Sequence, residues 1–253
     1  MHTVISMRPP HSVAGASTEL LSAPAANPPW PLVIYFHHVG PPYGHYTSVS
    51  LDEFRLVLDE IDLIGYLADP RSPIALSRCG LPVLLTFDDG FRDTVLNVVP
   101  LLEDRGASAA FFVNTDHVGR TICEPGRARG NEFATWSDLR SAAAAGMVVG
   151  SHGHRHVRWD QLSALEVRAE ARLSYDIITR NIGTAPWGLA YPNGQPPLHD
   201  DELGEGVLRF ATVRAPLTPW GTNRGGIRRV YLPAGASDTW RPLLRGWRDA
   251  WEH

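Results

Sequence analysis

The sequence contains no lysine, so every basic side chain is an arginine. This absence excludes functions that need a lysine amine, such as Schiff-base catalysis and phosphate binding by a P-loop lysine. GC-rich coding, which also favours alanine, proline and glycine, explains the bias without any function.

Cysteine is almost as scarce, with Cys79 and Cys123 as the two thiols. A disulfide framework normally uses more cysteines in a shorter secreted chain, so this pair indicates a reducing compartment or carries no information. The first residues lack the basic and apolar regions of an export signal, and no run is long and apolar enough to cross a bilayer. We therefore predict a cytoplasmic protein without a membrane span.

An excess of positive charge is also missing, since the formal net charge is -4. Proteins that bind nucleic acid usually carry a basic patch, and none is visible, so no nucleic-acid partner is predicted. A chain of 253 residues with 43% hydrophobic residues can bury a sizeable core in one large domain or two small ones.

The order of apolar segments predicts one α/β domain. Residues 1–28, rich in Ala, Pro and Ser, are expected to form a flexible leader before a catalytic domain over 29–253. Apolar runs without polar alternation predict strands buried on both faces, hence a parallel, barrel-like sheet with helices outside. The predicted strands are 32–36, 83–87, 109–113, 147–149, 189–191, 210–213 and 229–232, and the predicted helices start near Ser50, Val95, Ser137, Ser163 and Trp240.

Two neighbouring carboxylates, Asp88 and Asp89, follow the predicted strand 83–87. In such folds the chemistry lies at the carboxyl ends of the strands. Adjacent carboxylates repel each other, and a divalent cation bound by one would offset that repulsion and leave the other as a base. A solvated Asp-Gly turn would produce the same pattern.

A histidine-rich segment follows the predicted strand 147–149. His152 and His156 are four residues apart, a spacing that suits two ligands of one metal ion, whereas His154 between them is predicted not to bind. Together with a carboxylate they would form a three-ligand site with open positions. A solvated turn is the alternative.

A third polar cluster, residues 190–194, lies at the end of the predicted strand 189–191 and includes Tyr191, Pro192 and Asn193. Because proline lacks a backbone donor, the N–H of Asn193 could project from a sharp turn and stabilise an oxyanion. Taken alone, this motif is weak, and an ordinary Pro-Asn-Gly turn explains the same residues better.

Taken together and in this order, the three clusters resemble the motifs of the polysaccharide deacetylase family, the NodB-homology group also called carbohydrate esterase family 4. Residues 84–93 resemble its first motif, residues 151–156 its second with Gly153 in place of Ser or Thr, and residues 190–194 its third. The opening Tyr35-Phe36-His37-His38 is similar to the branch with a Tyr-His strand end. The resemblance covers about residues 30 to 235.

This resemblance implies a distorted (β/α)7 barrel in a single domain. It implies Asp88 as the general base and a divalent metal ion held by Asp89, His152 and His156. Zinc is the first choice, and cobalt, nickel, manganese or iron are further possibilities.

Two departures from the family pattern lead to further predictions. Many members have an arginine at the position of Ala190 that orients the base, and here Arg229, or else Arg228, is predicted to replace it. No histidine lies between Ile227 and Leu232, where many members supply a general acid. We predict His37 in that role, because a closed barrel brings its first and last strands together; His38 and His117 are weaker candidates.

The predicted activity is hydrolysis of the acetamide of an N-acetylated sugar or a small biosynthetic intermediate, releasing acetate and a free amine. Asn193, Tyr191, Pro192 and Trp136 are the predicted oxyanion and substrate contacts. Trp136, Trp159, Tyr191 and Trp220 could stack on a sugar ring or belong to the core. A deformylase or cyclic-imide hydrolase on the same fold, or a binding protein without activity, are the alternatives. The oligomeric state is left open.

Overall fold

The structure is a computed structural model that describes residues 21–23, 31–41, 47–73, 79–123, 131–198, 203, 207–215, 226–233 and 237–252. The strands are β1 (Leu32–Phe36), β2 (Gly65–Leu67), β3 (Leu81–Phe87), β4 (Ala110–Val113), β5 (Thr121–Ile122), β6 (Asn131–Glu132), β7 (Val148–Ser151), β8 (Gly188–Ala190) and β9 (Leu208–Phe210). The helices are α1 (Leu51–Ile64), α2 (Arg92–Glu103), α3 (Trp136–Ala144), α4 (Ala164–Ile182) and α5 (Ser237–Glu252).

The predicted α/β fold with one parallel sheet in a single domain is confirmed. Seven strands form the sheet in the order β1-β3-β4-β7-β8-β9, with β2 also paired to β3. The sheet is curled, and β5 and β6 form a separate antiparallel pair. Ile227 bridges to Phe210 of β9, and Val230 bridges to Ile34 of β1, so the segment 227–230 links the two edge strands.

Alternate residues of the strands pack on opposite faces of the sheet. Leu32, Ile34 and Phe36 of β1 belong to the larger core cluster, which includes α1, α2 and α5. Val33 points to the other face, where a second cluster fills the inside of the curl. Because both faces are covered by apolar side chains, the strands lack polar alternation, as expected for a buried parallel sheet.

Two local predictions are wrong. The helix α3 is capped by Thr135 and not by Ser137: Thr135 accepts a hydrogen bond from the Asp138 N–H, and the Asp138 carboxylate accepts one from the Thr135 N–H. This reciprocal pair satisfies the backbone N–H groups of Thr135 and Asp138. Ser137 already lies inside the first turn of the helix, two residues after Thr135, and cannot act as its N-cap. The predicted strand 229–232 is limited to the isolated bridge at Val230, since the segment between β9 and β1 is short.

The C-terminal helix α5 packs against one side of the core. Trp240 and Trp247 are buried, and Trp247 Nε1 donates a hydrogen bond to the carbonyl of Leu21 at 2.8 Å. Leu21 lies within the predicted leader and is itself buried; residues 1–20 and 24–28 of that segment lie outside the described residues. Among the helices described, none combines the length and apolarity needed to span a bilayer.

Candidate metal centre

The two aspartates leave β3 through a tight turn. The backbone N–H of Asp88 donates to the carbonyl of Phe36 at 2.9 Å, which ties the turn to the neighbouring strand β1. Asp89 has φ 68° and Gly90 φ 76°, and a Cβ at Gly90 would approach Val113 to 2.9 Å. Glycine is therefore required at position 90, and Asp89 is held in a left-handed conformation that costs about 1–3 kcal/mol.

The histidine loop begins where β7 ends. The His152 N–H donates to the carbonyl of Val113 at 2.9 Å, so this loop starts beside the end of β4. His156 also has a left-handed backbone, with φ 55°. Backbone strain of this kind tends to cluster at functional sites, where the surrounding structure maintains it.

The first two predicted clusters converge at one point. Asp89 Oδ1 lies 3.4 Å from His152 Nε2 and 3.3 Å from His156 Nε2. One ligand atom from each of the three residues lies within 4.8 Å of the other two, a separation that a single cation can bridge. His154 lies apart from this set, and its Nδ1 pairs with Thr115 Oγ1 at 2.8 Å.

The hydrogen bonds of His152 show that the three residues fit a metal ion. Its Nδ1 lies 2.8 Å from the carbonyl of Ala190, which can only accept, so Nδ1 carries the proton and Nε2 presents a lone pair towards Asp89. A lone pair and a carboxylate oxygen at this distance repel each other unless a cation lies between them. Burial also lowers the pKa of His156 to about 4, despite the opposing effect of Asp89, which keeps its imidazole neutral as a ligand must be.

The second aspartate is clamped by an arginine from the far end of the chain. Asp88 Oδ1 and Oδ2 each accept a hydrogen bond of 2.7 Å from Arg229, a bidentate pair between two buried side chains. Burial alone would raise the pKa of Asp88, but the charge and hydrogen bonds of Arg229 outweigh it and hold that pKa below its usual value. Arg228, the alternative, donates instead to the carbonyl of Ala215.

Arg229 crosses the inside of the curled sheet to reach Asp88. Its Nε donates to the carbonyl of Ala211 at 2.8 Å, and its guanidinium lies 4.9 Å from the ring centre of Tyr35 and 5.6 Å from that of Phe112. A planar cation can satisfy its donors and stack on aromatic rings at the same time, which a lysine could not do.

His37 lies beside the candidate metal ligands. Its Nε2 is 3.8 Å from Asp89 Oδ2, and its Nδ1 is 2.5 Å from Thr47 Oγ1. Burial lowers the pKa of His37, and the charges of the two aspartates oppose that shift. The ring therefore presents one nitrogen to the site, while the other is held by a neutral hydroxyl.

The two weaker candidates for the acid are placed differently. His38 stacks on Phe91, with 3.7 Å between ring centres, and its Nδ1 pairs with Asp93 at 3.1 Å. His117 packs against Phe133, and its ring centre is 6.5 Å from that of His156. Burial lowers the pKa of His117. Of the three, His37 has the direct contact with Asp89.

The third cluster adjoins the histidine loop. Asn193 has φ 59° and an exposed side chain, whereas Pro192 and the ring of Tyr191 are buried. Asp89, His156 and Asn193 are the three residues other than glycine with a positive φ in the part of the chain that the structure describes. Each of the three predicted clusters therefore contains one strained residue.

The aromatic side chains predicted near the site are mostly core residues. Tyr191 and Trp159 are fully buried and pack edge to face, 6.2 Å between ring centres, so neither ring faces solvent. Trp136 is half-buried at the start of α3 and packs against the larger core cluster. Trp220 lies outside the described residues.

Sequence reasoning missed three residues that support the site. Asn114 is fully buried, and its Nδ2 donates to Asp89 Oδ1 at 3.0 Å; its position after the predicted strand 109–113 was a usable signal. Thr47 holds His37. Glu170 contacts the histidine loop from the middle of α4, where nothing in the sequence distinguishes it from a solvated helix residue.

Four of these residues lie in a stretch that matches a known protein family. A sequence model of the family described as polysaccharide deacetylase matches residues 78–208, a stretch that contains Asp88, Asp89, His152 and His156 and ends before Arg229. No curated protein matches the chain in sequence.

Solved structures share the fold over most of the chain. IcaB from Ammonifex degensii is 23% identical with a TM-score of 0.72, over 87% of this chain and 99% of that one. The deacetylase PplD of Streptococcus pyogenes is 20% identical with a TM-score of 0.62, over 86% and 99%. BC0361, a polysaccharide deacetylase from Bacillus cereus, is 16% identical with a TM-score of 0.65, over 85% and 69%.

Proposed function

This chain belongs to the polysaccharide deacetylase family, and on that premise we propose that it is a metal-dependent N-deacetylase. Its substrate would be an N-acetylated sugar or a small N-acylated biosynthetic intermediate, and its products acetate and a free amine. The observation that carries the proposal is the convergence of Asp89, His152 and His156 beside a second carboxylate, Asp88, held by Arg229.

Asp89, His152 and His156 would hold one divalent cation, with zinc as the first choice because two imidazoles and a carboxylate are a common zinc ligand set. Such a cation, when bound, would lower the pKa of a water molecule and polarise the acyl carbonyl. Asn114 would fix the carboxylate of Asp89 through its 3.0 Å hydrogen bond, and the Ala190 carbonyl would fix the ring of His152.

Asp88 would act as the general base. Its lowered pKa keeps it ionised near neutral pH, and it lies one residue from a metal ligand at the same turn. Both of its oxygens accept hydrogen bonds from Arg229, which fixes the orientation of the carboxylate while other lone pairs remain for the proton of the attacking water.

His37 would protonate the departing nitrogen. Its Nε2 is the ring atom closest to Asp89, and its Nδ1 is engaged by Thr47, so Nε2 is the atom from which a proton would reach the amine. Protonation is needed because an unprotonated amine is a poor leaving group. The strained turn at Asn193 would direct a backbone N–H towards the developing oxyanion.

The substitution Asp88→Asn tests this assignment. Asparagine keeps the shape of the side chain but cannot accept the proton, so turnover should fall by about 10²–10⁴-fold while bound metal is retained. Elemental analysis and amine release before and after chelation would measure both properties. Full activity in Asp88→Asn would eliminate the proposed base.

A panel of acyl substrates tests the reaction class. N-acetylated amino sugars, formamides and cyclic imides would be offered to the purified enzyme, and release of acetate, formate or ring-opened product would be measured. Turnover of the acetylated sugars above the other two classes is expected. Faster formate release or ring opening would replace the deacetylase assignment with a different amide hydrolase.

A further inference from the structure

The buried carboxylate of Glu170 contacts the loop that carries two of the three candidate ligands, although it touches neither ligand side chain. Glu170 belongs to α4 and is 3% exposed. Its Oε2 accepts hydrogen bonds from the backbone N–H groups of His154 and Arg155, each at 3.1 Å. Its Oε1 accepts from Arg155 Nε at 2.5 Å.

One turn further along α4, Ser174 reaches the start of the same loop. Its Oγ lies 2.7 Å from Ser151 Oγ, and Ser151 Oγ in turn accepts a hydrogen bond from the Gly153 N–H at 3.1 Å. Residues four apart in a helix share a face, so Glu170 and Ser174 form one polar stripe against the loop. Ser174, in the stripe, and its partner Ser151 are both fully buried.

The opposite side of the loop is held by the segment after β4. The Thr115 N–H donates to the Gly153 carbonyl at 3.3 Å, and the Asp116 N–H donates to the His154 carbonyl at 3.0 Å. The loop between His152 and His156 therefore lies between this segment and α4. The N–H groups of His154 and Arg155 bind Glu170, while the carbonyls of Gly153 and His154 bind residues 115 and 116.

The backbone of the loop needs such support. Gly153 has φ 79° and His156 has φ 55°, so the chain twice enters the left-handed region within four residues. For a residue other than glycine this conformation persists when its surroundings over-determine it. Glu170 draws two consecutive N–H groups to one oxygen, which fixes the turn directly before His156.

We propose that Glu170 is a positioning residue that sets the metal affinity of this site by holding the histidine loop in its ligating conformation. The inference rests on the proposed function, since it assumes that His152 and His156 bind a cation. The buried carboxylate of Glu170 is surrounded by donors, the Arg155 side chain and the two N–H groups, and such charge-assisted hydrogen bonds are stronger than neutral ones.

Zn²⁺ affinity, measured by competition with a chromogenic chelator, tests the proposal. Glu170→Gln keeps the size of the side chain but loses the charge and turns an amide N–H₂ towards loop donors, so Zn²⁺ should bind about 10- to 100-fold more weakly. The matched control is Asp176→Asn, an exposed residue of the same helix that loses the same charge and should bind Zn²⁺ like the unmodified protein. Thermal melting of the metal-free proteins is recorded in parallel.

Arg155→Ala is the second variant, in case Glu170→Gln does not fold. The side chain of Arg155 is 57% exposed, so its removal should spare the fold while weakening Zn²⁺ binding several-fold. Unchanged Zn²⁺ affinity in the folded variants would overturn the positioning role. So would a loss of binding free energy that is no larger than the loss of unfolding free energy in the metal-free variant. Failure of the unmodified protein to bind Zn²⁺ would instead refute the proposed function.

Discussion

At the scale of single residues, the site depends on which nitrogen or oxygen each side chain turns towards its partner. The Ala190 carbonyl fixes the proton of His152 on Nδ1, and Thr47 engages Nδ1 of His37. Arg229 donates one hydrogen bond to each carboxylate oxygen of Asp88. Each of these three side chains, to which we assign a function, therefore has one orientation set by a neighbour to which we assign none of the chemical steps.

Replacing Arg229 should shift the pH dependence of the reaction. Arg229 lowers the pKa of Asp88, so in Arg229→Gln that pKa rises and the carboxylate becomes protonated at a higher pH. The acid limb of kcat/KM against pH should move upwards, and the protein should lose about 3–5 kcal/mol of stability because Asp88 is left buried and unpaired. Arg228→Gln, which alters an arginine that does not contact Asp88, is the control and should leave the acid limb in place.

Replacing His37 should reduce turnover. His37→Ala removes the proposed acid and should cost about 100-fold in kcat, measured by amine release at saturating substrate. His117→Ala, which removes a histidine near His156 that is not a proposed ligand, should have a smaller effect. A loss under about threefold in His37→Ala would assign the acid to another group.

At the scale of elements, helix ends and strand ends place the functional residues. The helix α3 begins with the reciprocal pair of Thr135 and Asp138, and Arg92 of α2 also donates to the Asp138 carboxylate at 3.2 Å. Burial opposes ionisation of Asp138, but the hydrogen bonds from Thr135 and the charge of Arg92 prevail and lower its pKa. The cap thus connects α2, which follows the aspartate turn, to α3.

Removing this cap should produce a pH-dependent loss of stability. Because the pKa of Asp138 is lower in the folded protein, its ionised form stabilises the fold above the unfolded pKa, and this contribution disappears as pH falls through the folded pKa. Asp138→Asn should therefore lower the free energy of unfolding by about 1 kcal/mol at pH 7 and by less below about pH 4. Urea unfolding at the two pH values measures the difference; an equal loss at both would contradict the ionic part of the argument.

The ends of the strands also explain which residues of the site could be predicted from the sequence. Asp89, His152 and His156 could be predicted because each follows an apolar run, and parallel strands place such ends together. The sequence favoured Arg229 but left Arg228 open, because the choice depends on which of two neighbours points inside the curl. Glu170 and Thr47 were missed because their partners lie in another element, and neither residue belongs to a local pattern.

At the scale of the whole molecule, metal binding and folding should be linked. The three proposed ligands lie on two loops far apart in sequence and converge only in the folded chain, so a cation at 100 times its dissociation constant should stabilise it by about 2.7 kcal/mol. For a chain of this size the melting temperature should rise by about 5–10 °C with Zn²⁺. Differential scanning calorimetry should show this rise in the unmodified protein and in His154→Ala, but not in His156→Ala.

The bridges that residues 227–230 make to β9 and β1 bring together parts of the chain that lie on either side of the family match. The stretch that matches the family model, residues 78–208, contains the proposed ligands and the proposed base, whereas His37 precedes it and Arg229 follows it. Both outer residues reach the centre only because the first strand and the last segment meet at this seam. Substitutions along this segment would therefore alter the residues proposed to orient the base and to supply a proton, while the three proposed ligands stay in place.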